Sequence, residues 1–283
     1  MSLLSKSTIR RHFNRAAQQY AEAAFLQNEV LQRVATRFDV MKIDPKHVLD
    51  FGARVGASRP LLQSRFPKTT IIAYECSEGL LQQVPRRWYQ RALPNVCGDY
   101  EQLPFANHSF DVIFSNLTLH WVNDLPHLLR EFYRVLIPGG LLLFTMVGPD
   151  TLKELRAAFA AHSRDVHLHR FIDMHDVGDE LMKAHFQNPV MDMEYLQMRY
   201  DTVLHLLQDL KATGVTNARL DRARGLMGKT RWNAMLQEYA DRFSSLEAGV
   251  TATVEIIYGH AWMPSALEVE GEVRVPVSSL FKR

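Results

Sequence analysis

Val48-Leu49-Asp50-Phe51-Gly52-Ala53-Arg54-Val55-Gly56 decides the reading of this chain, together with Ile71-Ile72-Ala73-Tyr74-Glu75 shortly after it. Each is a short apolar run that ends in an acid, and the first passes directly into a glycine turn. That layout is the one a nucleotide-cofactor cleft needs. Glycines let the chain bend tightly and bring backbone amides against a ligand with no Cβ in the way. The second acid then stands at a strand end, where a carboxylate can face the same crevice. Between the two glycines of the turn stands Arg54, a long cation at the tightest corner.

Working outward, residues about 8–38 carry apolar positions at helical spacing: Ile9, Phe13, Ala16, Ala17 and Tyr20, then Phe25, Leu26, Val30, Leu31 and Val34. Pro45 ends that segment ahead of a strand at Val48–Phe51. A helix is expected from Arg59-Pro60 to Pro67, a strand at Thr70–Tyr74, a helix from about Ser77 to Gln90, and a turn at Leu93-Pro94-Asn95. Phe110–Ser115 reads as a parallel strand buried on both faces. The helix Pro126–Leu136 is halted by Pro138-Gly139-Gly140, and Leu141–Val147 is another buried strand.

Strands alternating with helices at this spacing predict an α/β fold with a doubly wound, mostly parallel sheet. Past Asp150 the pattern changes to amphipathic stretches at Thr151–Ala161, Val177–Phe186, Thr202–Thr213 and Thr230–Phe243. Strand-like pieces at Val190–Arg199 and Val250–Ala261 continue the sheet. This predicts one domain over 1–262, with a helical lid at about 8–38 and a helical cap inserted at about 200–248. Residues 263–283 form a tail without a clear packing face.

Composition narrows the function classes. A length of 283 residues, 47% of them hydrophobic, supports one large core. A net charge of +2 gives no global basic field for nucleic acid. The 12 histidines are dispersed and form no closely spaced ligand set, so no metal is expected. Two cysteines, Cys76 and Cys97, make no disulfide framework. No apolar run approaches the ~20 residues of a membrane span, and Met1–Ser7 lacks the apolar core of a secretory leader. The expectation is a cytoplasmic monomer with no membrane and no nucleic-acid partner.

Several residues carry two readings. Glu75 is either a solvated acid at a strand end or a carboxylate set to bind a diol, and Asp50 and Gly52 upstream favour the second. Asp99, in Gly98-Asp99-Tyr100-Glu101-Gln102-Leu103-Pro104-Phe105, is a turn-forming residue or a third ligand-facing acid. Asn116 closes the fourth strand, at the carboxyl ends where open α/β sheets bind ligands. His120, beside Trp121, reads first as a packed structural histidine and only second as a base. Tyr20 is a core aromatic or a residue that closes over a cofactor.

The run Phe110-Asp111 through Ser115-Asn116-Leu117-Thr118-Leu119-His120-Trp121 to Leu125-Pro126 resembles the malonyl-carrier-protein O-methyltransferases of biotin synthesis. So do Glu131, Tyr133-Arg134-Val135-Leu136 with Pro138-Gly139-Gly140, and Thr151-Leu152-Lys153-Glu154-Leu155. The likeness extends through His169-Arg170-Phe171, Leu210-Lys211-Ala212-Thr213-Gly214 and Tyr258-Gly259-His260-Ala261-Trp262. Phe13-Asn14-Arg15-Ala16-Ala17 with Tyr20 matches the family's F-x-R-A-A-x-x-Y opening. The chain is also similar to the mitochondrial complex I assembly factor of the same methyltransferase-like family.

The resemblance implies a seven-stranded, Rossmann-like class I fold and S-adenosylmethionine (SAM) as cofactor. It implies methyl transfer to the free carboxylate of a malonyl thioester on acyl carrier protein, the partner. By residue it places Asp50, Gly52 and Gly56 at the amino-acid end of SAM, Glu75 on the ribose, and Asp99 on the adenine with Tyr100 beside the ring. Asn116 then belongs to the cofactor-facing strand end and Tyr20 to the lid. A substrate carboxylate stripped of water needs a cation, for which Arg170 is the first candidate and Lys211 the second. Both are equally readable as surface charges. The basic stretch Arg219, Arg222, Arg224, Lys229, Arg231 is either a carrier-protein contact or a solvated helix face.

The loop departs from the family's D-x-G-C-G-T-G at Arg54. That cation is expected to swing outward, to pair with the cofactor's carboxylate, or to block the cleft. A chain with a blocked cleft would be a family member that serves as a partner-binding or assembly protein instead of an enzyme.

Overall fold

The computed structural model describes residues 3–85, 94–222, 225, 227–244 and 249–265. Seven strands form one sheet: β1 His47–Phe51, β2 Thr70–Glu75, β3 Asn95–Cys97, β4 Phe110–Ser115, β5 Leu136–Val147, β6 Gln187–Tyr200 and β7 Val250–Trp262. Their order across the sheet is β3-β2-β1-β4-β5-β7-β6. β1 through β5 pair in parallel, and β7 is antiparallel to both β5 and β6. The strand order reverses between β1 and β4, and such a switch point opens a crevice at the carboxyl ends of the strands.

The helices are α1 Lys6–Ala23, α2 Phe25–Ala35, α3 Ser58–Arg65, α4 Glu78–Gln82, α5 Leu125–Val135, α6 Lys153–His162, α7 Met174–Lys183, α8 Val203–Ala212 and α9 Lys229–Phe243. The doubly wound architecture expected from the alternating pattern is present. Both faces of the central strands are covered. On one face Leu49, Phe51, Tyr74, Ile113 and Leu142 join Phe132 of α5 in one apolar cluster. On the other face Val48, Ile71, Val112 and Leu143 pack with Val30, Leu31, Val34, Phe38 and Leu62. Successive residues of β1 therefore point into two cores, and the strand tolerates no polar alternation.

Three local readings change in the structure. The turn expected at Leu93-Pro94-Asn95 gives way at Asn95 to β3, a three-residue edge strand too short to leave a hydrophobic period. Pro138-Gly139-Gly140 ends α5 but lies inside β5, where the β4–β5 register shifts between Phe110 and Val112. Proline is accommodated at such an irregularity because no ladder bond is required of it. The single helical segment expected at 8–38 breaks at Ala24 into α1 and α2 and ends in a 3-10 turn, Thr36–Val40. Of the helix expected at Ser77–Gln90, α4 is the described part, and residues 86–93 lie outside the described ones.

Two helices, α8 and α9, fall between β6 and β7, in the stretch read as an insertion at 200–248. With α6 and β7 they form a separate apolar cluster around Leu155, Phe159, Leu206, Met235 and Tyr239. α1 crosses the carboxyl edge of the sheet with Ile9, Phe13, Ala16, Ala17 and Tyr20 buried beneath it. It is pinned at its middle by Asn14, whose Oδ1 accepts from Ser77 Oγ at 2.6 Å and Gly79 N at 3.0 Å. Of the tail read at 263–283, residues 263–265 are described, and Met263 exchanges backbone hydrogen bonds with Gly139 and Gly140.

The Phe132 ring meets Phe51 edge-on with centroids 4.9 Å apart and is fully buried. Phe132→Ala is expected to lower the unfolding free energy by about 3–5 kcal/mol in urea titration. A loss below about 1 kcal/mol would show that this core is not what holds α5 to β1.

Candidate active site

The glycine turn after β1 is built from three left-handed residues: Gly52 and Gly56, each at φ +76, and Arg54 at φ +51. A Cβ on Gly52 would lie 1.9 Å from Thr118 Oγ1, so both conformation and space demand glycine there. Arg54 has no such licence, and its left-handed backbone costs about 1–2 kcal/mol. Asp50 is buried just before the turn and accepts from Ser58 Oγ. Burial pushes its carboxyl up to about 6, against the opposing pull of the Ser58 hydroxyl and Arg59.

Glu75 ends β2 with no exposed surface. Its Oε1 accepts from Tyr100 OH at 2.6 Å, Cys76 N at 2.8 Å and Ser77 N at 3.1 Å. Its Oε2 accepts from the Arg54 amide at 3.1 Å and from Arg54 Nη1 at 3.4 Å. The Arg54 side chain points inward, not toward solvent. Nη1 also donates to Tyr100 OH at 2.8 Å, and Nη2 donates to Leu117 O at 3.4 Å. The guanidinium carbon sits 4.1 Å from the centroid of Phe13 on α1. Burial works against its charge, but Tyr100, Glu75 and Tyr20 outweigh burial and raise it above its ordinary value.

Tyr20 is buried in the same group; burial pushes its hydroxyl up while nearby Arg54 draws it back. Tyr100 is buried against Phe51, with ring centroids 5.1 Å apart. Asp99 lies at the outer rim, bound by Lys6 Nζ at 2.9 Å. Burial would raise its carboxyl, but the Glu101 amide and Lys6 hold it below the usual range. Asn116 is engaged on both ends of its amide. It donates to Gln27 O at 2.9 Å and accepts from Thr145 Oγ1 at 2.7 Å, tying α2 to the end of the sheet.

Beside this cluster lies a mainly apolar cavity between α1, α8 and the strand ends, walled by Phe13, Tyr20, Leu117, Trp121, Phe171 and Leu206 among others. Among the described residues that line it, Arg54 alone is a lysine or arginine. His120 and His169 also line it, and both are held neutral. Burial drives His120 well below its ordinary value and His169 to about 4. His169 Nε2 accepts from Ala218 N at 2.9 Å, which fixes its tautomer. Arg170 is exposed and lines a second depression, whose wall includes His120, His169 and Phe171 as well. Lys211 is exposed on α8.

The basic stretch at 219–231 is less open than its sequence suggests. Arg219 is buried and paired with Asp221 at 2.7 Å, Arg222 donates to Arg219 O, and Arg224 lies outside the described residues. Lys229 and Arg231 are exposed on α9, and a second exposed basic face is on α1, where Arg11 and Arg15 are one helical turn apart, with Arg10 beside them. Among the described residues, no group of three or more His, Cys, Asp or Glu is arranged to hold a metal ion. No described helix is long and apolar enough to cross a membrane.

A family model describing a methyltransferase domain matches residues 49–144, from β1 into β5. The malonyl-acyl-carrier-protein O-methyltransferase of Laribacter hongkongensis is 44% identical over 270 residues, covering 92% of this chain and 90% of its own. That of Coxiella burnetii, numbered 1, is 38% identical over 284 residues, covering 99% and 97%. The chain belongs to the malonyl-acyl-carrier-protein O-methyltransferase family. Solved structures agree on the fold. The YcgJ protein of Bacillus subtilis superposes with a TM-score of 0.57 at 14% identity, covering 82% of this chain and 98% of that one. Phosphoethanolamine N-methyltransferase 2 of Haemonchus contortus, solved with SAM, gives 0.53 at 18% identity, covering 89% of this chain and 57% of that one.

For this family the cofactor is SAM, and the framework of the cleft fits it. Asp50, Gly52, Gly56, Glu75 and Asp99 converge at the carboxyl ends of β1, β2 and β3, and the glycine turn leaves no Cβ at its first corner. One group stands in the way, the Arg54 guanidinium on Glu75. Sequence reasoning did not find Phe13, Ser58 or the Leu117 carbonyl. Phe13 and Leu117 look like ordinary core residues until Arg54 is seen to reach them, and Ser58 has no motif of its own.

Because the Asp50 carboxyl titrates near 6 when folded and near 3.9 when unfolded, the folded state holds this proton to higher pH. Its contribution is greatest below pH about 4 and is lost as pH rises through about 6, on the order of 2–3 kcal/mol. Asp50→Asn is expected to remove that slope from the ligand-free protein's stability profile between pH 4 and 7. Parallel profiles for the two proteins would contradict the burial argument.

Proposed function

We propose that this protein is a SAM-dependent carboxyl O-methyltransferase that esterifies the free carboxylate of a malonyl thioester on acyl carrier protein, in biotin synthesis. It acts as a cytoplasmic monomer. The observation that carries this reading is the pairing of the acid–glycine cleft with a mainly apolar cavity in a chain related along nearly its whole length to enzymes of that name.

SAM supplies an activated methyl group on a sulfonium. Asp50 and the Gly52–Gly56 turn hold its amino-acid end, Glu75 its ribose, and Asp99 with Tyr100 its adenine. Asn116 keeps α2 against the strand ends, and Tyr20 closes the lid. No general base is required, since a malonyl carboxylate is ionised far below pH 7 and is already the nucleophile. The neutral state of His120 and His169 is consistent with that. What remains is alignment and exclusion of water, and orientation alone is worth on the order of 7–11 kcal/mol.

Arg170 lines the same depression as His120, His169 and Phe171, where it meets the substrate carboxylate. The exposed arginines of α1 meet the carrier protein by charge.

Incubation with malonyl-acyl carrier protein and methyl-labelled SAM is expected to transfer label into a base-labile ester on the thioester-bound acid. Absence of transfer to malonyl, with transfer to another carboxylate, would overturn the substrate assignment. Arg170→Ala is expected to raise KM for the malonyl carrier about tenfold with kcat little changed, the effect of one lost charge-assisted contact. An unchanged KM would return Arg170 to the surface.

A further inference from the structure

Arg54 is used by nothing in the reaction just described, yet it is buried and bound on several sides. Its guanidinium takes Glu75, Tyr100 OH and Leu117 O as acceptors and lies flat on Phe13. These contacts join β2, the segment after β3, the end of β4, and the lid helix α1. Each acceptor faces the cleft in which the family binds its cofactor, and Glu75 is the carboxylate that a ribose diol would need. We propose that the Arg54 side chain is an intramolecular occupant of the cofactor cleft, a latch that competes with SAM for Glu75 and holds α1 closed until SAM displaces it. The proposal rests on the methyltransferase reading and deepens it, since it concerns how that cleft is opened.

The competition follows from hydrogen-bond capacity and charge. Glu75 Oε1 already accepts three donors, so Oε2 is the oxygen with room for a diol, and Oε2 is where Arg54 Nη1 sits. A second cation beside the guanidinium is also disfavoured, and SAM brings a sulfonium. The displaced side chain has a destination. Arg54 already lines the apolar cavity beside the cleft, where Tyr200 and the half-buried carboxylate of Asp209 form a polar wall. Leaving Phe13 also removes one of the contacts that hold α1 over the cleft, beside the Asn14 bonds to Ser77 and Gly79, so cofactor entry loosens the lid. Glu75 keeps Tyr100 and the amides of Cys76, Ser77 and Arg54 when the Arg54 side chain leaves, so it is not stranded without donors.

Isothermal titration of S-adenosylhomocysteine into the native protein, Arg54→Gly and Arg54→Ala tests the latch. Both variants are expected to bind at least tenfold tighter than the native protein. Alanine retains the Cβ in the left-handed backbone, so a gain shared by both variants belongs to the guanidinium. Binding by the variants that is equal to or weaker than native binding would overturn the latch and leave the cofactor assignment standing. A gain confined to glycine would overturn it too, and would assign the effect to the backbone. No binding by any of the three would instead overturn the cofactor assignment. Amide exchange of α1 in ligand-free protein gives a separate reading: residues 8–20 should exchange faster in Arg54→Ala, and unchanged protection would contradict the lid coupling.

Discussion

A carboxylate with no access to water must find its donors within the protein, and Glu75 is that constraint here. An ionised acid at the end of a central strand is costly to bury unless every lone pair is met. Glu75 meets them with two amides of its own turn, a tyrosine hydroxyl from beyond β3, and the amide and side chain of Arg54. Those partners fix where the β1 turn, the β2 turn and the Tyr100 segment sit relative to one another. The lid follows, because the cation that answers Glu75 is also the one on which Phe13 rests. The cleft is thus assembled around one negative charge.

The remainder of the site is consistent with a reaction that needs little acid–base help. The cavity beside the cleft is apolar, and both of its histidines are kept neutral by burial. A dry wall raises the reactivity of an anionic nucleophile and lowers the risk of hydrolysis. Arg170 lines the neighbouring depression, and Arg10, Arg11 and Arg15 of α1 are exposed. α8 walls the cavity through Leu206, Asp209 and Leu210, and with α9 it belongs to a small core of its own. In this arrangement the sheet supplies position and the helices supply exclusion of solvent.

The central sheet was legible because parallel strands buried on both faces leave apolar runs that end abruptly at an acid, a serine or a glycine. Asp50, Glu75 and Ser115 mark three such ends. β3 was not legible: three residues at an edge carry no period, and Pro94 before it reads as a turn. The break at Ala24 also left no mark, since the apolar stripe continues across it. The placement of Asp50, Gly52, Gly56 and Glu75 at strand ends could be read from their order along the chain, because each directly follows or closes an apolar run. The direction of Arg54 could not. Whether a long side chain at a turn goes outward or inward depends on acceptors distant in sequence, here Tyr100 and Leu117, and on an aromatic ring of α1. The basic stretch at 219–231 carried two readings in the sequence, and the structure divides its residues: Arg219 pairs with Asp221 two residues away, whereas Lys229 and Arg231 are exposed.

What binds Glu75 is therefore the question on which this account turns. A crystal structure of the protein grown with S-adenosylhomocysteine answers it most directly. The account predicts the nucleoside diol on Glu75 Oε2, with the Arg54 guanidinium withdrawn from that oxygen and from Phe13. The same ligand seated in the cleft with the Arg54–Glu75 and Arg54–Phe13 contacts intact would contradict it.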